Sequence, residues 1–146
     1  MSVTLAQAST ILDVALKTAR EMKLAPMTVA VLDAGGYLVA FKREDGSGIL
    51  RYEIAYGKAW GALGMGFGSR TLFERAGNTP QFFNALYAAS GGRVVTNPGG
   101  VLIRSEEGEI IGAVGISGDT SDKDEECAIA GIEAAGLFAD PGGMKG

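Results

Sequence analysis

Lys58 stands in Tyr56-Gly-Lys-Ala-Trp-Gly-Ala, a stretch otherwise made of small and apolar residues. An ammonium on such a face either runs its stem along the apolar surface to water or is held by an acid. Three roles fit it: orienting an anionic substrate, forming a Schiff base if desolvation lowers its basicity, or pairing structurally with Glu53, Asp33 or Glu125. Asp33 closes an apolar run. It reads either as a turn-former bonding its own backbone or as a carboxylate aimed into a pocket beside Arg43. Asn97-Pro98-Gly99-Gly100 is a loop of amides just ahead of a strand, suited to a carboxylate or a carbonyl oxygen. The acidic group Asp119, Asp122, Asp124, Glu125 and Glu126 is most simply the start of a helix compensated by its own dipole; the alternative is a carboxylate set for magnesium or manganese, although its spacing matches no known loop.

The candidate set is therefore Lys58, Asp33 and Glu125 for catalysis, with Arg43, Asn97, Gly99, Gly100 and Asp124 as ligand contacts and no metal ligands. Two functions from different classes compete for it. One is a small-molecule-binding protein whose pocket lies between a sheet and the Lys58 helix or at a subunit interface. The other is a cofactor-independent isomerase or lyase acting on a carbonyl-containing metabolite. There Lys58 or Arg43 would polarise the oxyanion, and Asp33 or Glu125 would move the proton. Tyr37, Tyr52, Tyr56, Trp60, Phe67 and Phe73 are candidates for the pocket wall, although aromatic residues at helical spacing are more often core.

Absences narrow the chemistry. The 146 residues contain no histidine, which removes the usual general base near neutral pH, a serine–histidine triad and an imidazole-built zinc site. A single cysteine, Cys127, cannot form an internal disulfide, and a cytoplasmic location is the default expectation. Thirteen Lys and Arg stand against seventeen Asp and Glu without any basic block, so the electrostatic footprint of a nucleic-acid binder is missing. No apolar run is long enough to span a bilayer, and Met1 to Ala25 reads as an amphipathic helix rather than a signal peptide. The glycine runs Gly64-Met-Gly-Phe-Gly and Gly112 to Gly118 lack the strand, turn and helix of a dinucleotide fingerprint.

The elements that must position these residues read as one domain over 1–146. Apolar spacing from Thr4 to Lys23 predicts a helix with one buried stripe. Met27 to Leu32 and Tyr37 to Phe41 predict two strands joined by the turn Asp33-Ala-Gly-Gly. A helix follows from about Leu50 to Gly64, and its several glycines ask for a packing reason. Short helices are expected over Thr71 to Ala76 and Pro80 to Ala89. A second hairpin joins Val101 to Arg104 with Glu109 to Ile116, and Val94 to Thr96 is a further candidate strand. Ser121, with Asp124 three positions on, predicts a capping box opening a last helix from Ser121 to Phe138, followed by a mobile tail. Hairpins make neighbouring strands antiparallel, so the fold class is α+β: an antiparallel sheet flanked by helices in a three-layer, profilin-like or PAS-like sandwich.

Four motifs, Thr28-Val-Ala-Val-Leu-Asp-Ala-Gly-Gly, Glu53-Ile-Ala-Tyr-Gly-Lys-Ala, Pro98-Gly-Gly-Val-Leu-Ile and Gly112-Ala-Val-Gly-Ile-Ser-Gly with Asp124-Glu125 following, occur in this order across nearly the whole chain. Together they resemble the GlcG/HbpS-like family, which includes the PduO C-terminal-like domains. The resemblance implies a three-layer antiparallel fold, homo-oligomers that are often octamers, and small-molecule ligands, with haem and corrinoid-related roles in some members. It also places the Asn97 loop near the family's pocket. A haem-binding or haem-responsive sensor is thus a further alternative. The chain departs from it in having no histidine, so an axial ligand would have to come from Met, Tyr, Cys or Lys, and the spacing selects none of them.

Overall fold

The computed structural model describes residues 1–143, and the mobile tail expected beyond them lies outside the described residues. Helix α1 (Leu5–Glu21) opens on a capping box. The Thr4 hydroxyl accepts from the Gln7 N–H at 3.1 Å, and the Gln7 side chain accepts from the Thr4 N–H at 3.0 Å. Its buried stripe, Ala8, Ile11, Leu12, Ala15 and Ala19, is the one the sequence spacing predicts. Strands β1 (Thr28–Asp33) and β2 (Leu38–Arg43) form the first hairpin. Helices α2 (Arg51–Met65), α3 (Ser69–Asn78) and α4 (Pro80–Ala89) follow, then strands β3 (Gly100–Arg104) and β4 (Ile110–Ser117). Val94 to Thr96 is not a strand but an extended segment laid along α2, where the Val95 N–H donates to the Gly57 carbonyl at 3.2 Å.

Helix α5 (Ser121–Ala134) stops short of the predicted Phe138. Gly136 takes a left-handed backbone (φ 75°), and the chain turns into strand β5 (Phe138–Asp140), which pairs with β3. The cap of α5 also differs from the predicted box. Thr120 is the capping residue, its hydroxyl accepting from the Lys123 N–H at 3.3 Å, while Asp124 is occupied elsewhere.

The five strands make one antiparallel sheet in the order β2-β1-β4-β3-β5. Alternation divides its residues between two cores. Val29, Val31, Val101, Ile103, Val114 and Ile116 pack under α1 and α5, whereas Leu32, Leu102 and Ala113 face α2. These are the three layers the sequence pattern implies. The approach of α2 is set by Gly115 in β4, where a Cβ would run into the Ala55 carbonyl oxygen. On the helix itself, Gly57 and Gly61 admit Val95 and Val94, which supplies the packing reason for helical glycines.

Candidate functional site

The C-terminal end of β4 collects the polar chemistry. Residues directly opposite one another in an antiparallel pair share a face. Thr28 is opposite Arg43 in β2 and opposite Ser117 in β4, so Arg43, Thr28 and Ser117 form a polar row across three strands on the α2 side. Ser47 joins it from the loop after β2, its buried hydroxyl 2.8 Å from that of Thr28. Arg51, at the first turn of α2, donates to the Ser117 hydroxyl at 3.0 Å. Arg43 donates to the Ser47 carbonyl at 2.9 Å.

Directly inside this row lies Lys58. Its Nζ donates to the Ile116 carbonyl at 2.8 Å and to Asp124 Oδ2 at 3.2 Å, and the residue is only 2% exposed. The other oxygen of Asp124 accepts from the Asp119 N–H at 3.0 Å. The partner of Lys58 is therefore Asp124, rather than Glu53, Asp33 or Glu125. Burial lowers the basicity of Lys58 and raises the carboxyl pKa of Asp124, in each case against the attraction of the partner charge. Arg51 is near enough for its charge to act on both groups.

The loop Asn97–Gly100 closes over this pair. Gly99 has φ 122°, its carbonyl accepts from the Ile116 N–H at 3.0 Å, and a Cβ there would lie 2.9 Å from Lys58 Nζ. Gly100 donates its N–H to Ser69 Oγ at 2.8 Å, and a Cβ on it would collide with the Lys58 carbonyl. The two glycines are thus required by the lysine packed beneath them. Asn97 stays exposed on the rim.

Six of the eight candidate residues, Arg43, Lys58, Asn97, Gly99, Gly100 and Asp124, lie toward this end of the sheet. Two do not join them. Glu125 points to Arg70, accepting from its Nε at 3.0 Å, and Arg70 also binds Asp122. Asp33 sits at the far end of β1, about 17 Å from Thr28 at strand rise. There its Oδ1 accepts from the Gly35 and Tyr37 N–H groups, both at 3.0 Å, which makes it the turn-former of the first hairpin. Thr28, Ser47, Arg51 and Ser117 were not among the sequence candidates. Strand register brings Thr28 beside Ser117, and the loop after β2 and the first turn of α2 add Ser47 and Arg51, none of which is written in a local motif.

Lys58 lines neither of the two clefts described next. A cleft of about 1090 Å³ lies between α3 and the β5 segment, with Phe67, Arg75, Arg104 and Asp140 in its walls. A second, of about 500 Å³, is bordered by Leu16, Arg20, Pro26 and Arg43. Among the aromatic candidates, Phe67 lies under the Arg75 guanidinium and Trp60 under that of Arg93, each at 4.2 Å. Tyr52 of α2 meets Phe41 of β2 edge-on at 5.1 Å.

The side chains present do not fit a histidine-ligated haem, because the chain has no histidine. Cys127 is fully buried, and desolvation pushes its thiol up to about 11, far from the thiolate that ligates iron. Lys58 is committed to Asp124. Among the described residues there is no group of three acidic or thiol side chains placed to hold a metal, and no helix is long and apolar enough to cross a membrane.

Fold and site define a class: a helix-covered antiparallel domain with a buried lysine–aspartate pair clamped at the end of its central strand. The chain belongs to the haem-degrading protein HbpS-like family, whose model matches residues 3–133. The curated corrinoid adenosyltransferase PduO of Citrobacter freundii is 30% identical over 123 residues, which are 82% of this chain but 35% of that protein. This chain therefore spans about a third of that relative. Among solved structures, the PduOC:heme complex is similar with a TM-score of 0.84 at 25% identity, covering 94% of this chain and 97% of the other. The protein ORFY of Klebsiella pneumoniae gives 0.81 at 26% identity, covering 92% and 90%. HbpS gives 0.78 at 25%, covering 91% and 89%.

Proposed function

We propose that this protein is a small-molecule-binding homo-oligomer whose ligand lies over the polar row, on the solvent side of the Lys58–Asp124 pair. The observation that carries the reading is the pair itself. Two opposite charges shut away from water cost the fold more than a well-packed apolar pair would, and groups with pKa values displaced by burial concentrate at functional sites. The haem-bound state of the PduOC relative supports small-molecule binding, while the absence of histidine removes an imidazole axial ligand from this chain. The exposed apolar rim beside the row supports a subunit interface that would cover it. Ile49, 94% exposed, and Leu50, 64% exposed, directly precede Arg51 at the start of α2.

Titration of the isotope-labelled protein with a panel of small metabolites tests the reading by amide shifts. Saturable changes concentrated on residues 51–58, 97–100 and 115–119 are expected. Changes concentrated on the walls of the α3–β5 cleft, or none with any metabolite, would remove it.

The lowered basicity of Lys58 favours a second reading, a cofactor-independent isomerase or lyase for a carbonyl-containing metabolite. It requires the first turn of α5 to withdraw Asp124 and release the amine. Borohydride trapping of a substrate adduct on Lys58 supports it, and the absence of trapping and of solvent proton exchange across a carbonyl-acid panel counts against it.

A further inference from the structure

Arg43 and Arg51 share an electrostatic peculiarity. Arg20, Arg70 and Arg104 each face a carboxylate, and Arg75 and Arg93 lie over aromatic rings. Among the described residues, Arg43 and Arg51, by contrast, donate only to neutral oxygens, the Ser47 carbonyl and the Ser117 hydroxyl. The acids nearest in sequence, Asp45 and Glu53, form no ion pair with them, and Glu44 is taken by Arg20 at 3.0 Å. Lys58 and Asp124 cancel each other just beneath. Among the described residues, this end of the sheet therefore carries two guanidiniums with no carboxylate at ion-pair distance, in a chain whose formal net charge is −4.

Geometry links the two guanidiniums. Arg43 and Ser117 flank Thr28 across adjacent strands, and Arg51 is fixed on Ser117, so both arginines border the same three hydroxyl-bearing residues, Thr28, Ser47 and Ser117. Each guanidinium presents five donors, and the contacts described for each engage one nitrogen. Forked donors without a carboxylate partner are built for a planar or tetrahedral oxyanion.

We propose that Arg43 and Arg51 form an oxyanion clamp that receives the carboxylate or phosphate group of a small metabolite at the outer edge of the polar row. The clamp rests on the small-molecule reading above and adds to it the chemical class of the ligand and a residue, Arg51, that fixes its charged end. Arg51 holds the anion over Ser117, and Arg43 closes on it from the sheet edge. The remainder of the ligand extends toward the Asn97 rim.

The test is a titration of the full chain with sodium phosphate and with sodium acetate, each against sodium chloride at matched ionic strength, reading the arginine Nε–H signals. The clamp predicts saturable shifts of Arg43 and Arg51 with phosphate or acetate and only small, unsaturated shifts with chloride. The tighter of the two probes identifies the phosphate or the carboxylate as the native group. Arg51→Gln should weaken binding about tenfold, as expected for a charge-assisted hydrogen bond, and Arg51→Lys by less. Arg43→Gln, at an exposed position, provides the same reading should Arg51→Gln disturb α2. Equal responses to chloride, or saturation unchanged in both glutamine variants, overturn the clamp. If metabolites shift residues 97–100 and 115–119 while both arginine signals stay fixed, the clamp fails and the small-molecule reading survives. If phosphate or acetate saturates the arginines and no metabolite binds, the reverse holds.

Discussion

Lys58 Nζ lies 3.2 Å from Asp124 Oδ2, and both side chains are shut away from water between α2, β4 and the first turn of α5. Sixty-six positions separate the two residues in sequence, so the contact ties the middle of the chain to its last helix. Removing one partner leaves a buried charge without compensation. Lys58→Met and Asp124→Leu should each cost about 3–5 kcal/mol, and the double variant should recover most of the sum. Urea denaturation of the four proteins measures this. Simple additivity would show that the pair is not coupled.

Gly115 and Gly64 should respond to alanine in opposite directions. At Gly115 a methyl group meets the Ala55 carbonyl and lifts α2 off the sheet, a cost of about 1–3 kcal/mol or more. Gly64, an exposed glycine of α2 with open space around its Cα, should gain up to about 1 kcal/mol from helix propensity. Thermal unfolding of both variants reads the sign directly.

Cys127 gives a pH signature. Its thiol is pushed up to about 11 in the folded state from an ordinary value of 9.0, so between these limits the folded chain holds a proton that the unfolded chain releases. That stabilisation is complete below about pH 9 and is lost as pH rises toward 11. The stability of wild type should therefore fall across this window relative to Cys127→Ala. A thiol reagent should react with the native protein at pH 8 only at the rate of opening.

Ile49 and Leu50 test the assembly. Replacing either with glutamate places a charge on the apolar rim beside the polar row, and light scattering should then report a smaller species than wild type. An unchanged mass would move the interface elsewhere. Because this chain has no histidine, hemin should give no saturable Soret shift with it. A stoichiometric band altered by a Met or Tyr substitution would restore the haem reading.

Local chemistry was readable wherever it acts within a few residues. Asp33-Ala-Gly-Gly specifies its hairpin because the carboxylate bonds N–H groups two and four positions on. The Thr4 to Lys23 spacing specifies α1 for the same reason, as the stripe lies within one element. The three-residue strand β5 escaped because so short a segment carries no periodicity and exists only by pairing with β3. Lys58 stood out as a cation on an apolar face, but its partner was hidden by distance along the chain. The capping-box reading of Ser121 and Asp124 failed because a carboxylate bonded to Lys58 and to the Asp119 N–H is no longer free to cap. Arg51 and Ser117 are hidden for a similar reason: the packing of α2 on the sheet brings them together, and no motif announces it.

The central claim, that a small ligand sits over the polar row at the end of β4, is tested most directly by a crystal structure of the assembled protein with a metabolite bound. The account predicts ligand density against Arg43, Arg51 and Ser117, on the outer side of an intact Lys58–Asp124 pair. Density confined to the cleft walled by Phe67, Arg75 and Arg104, with the polar row bare, would contradict it.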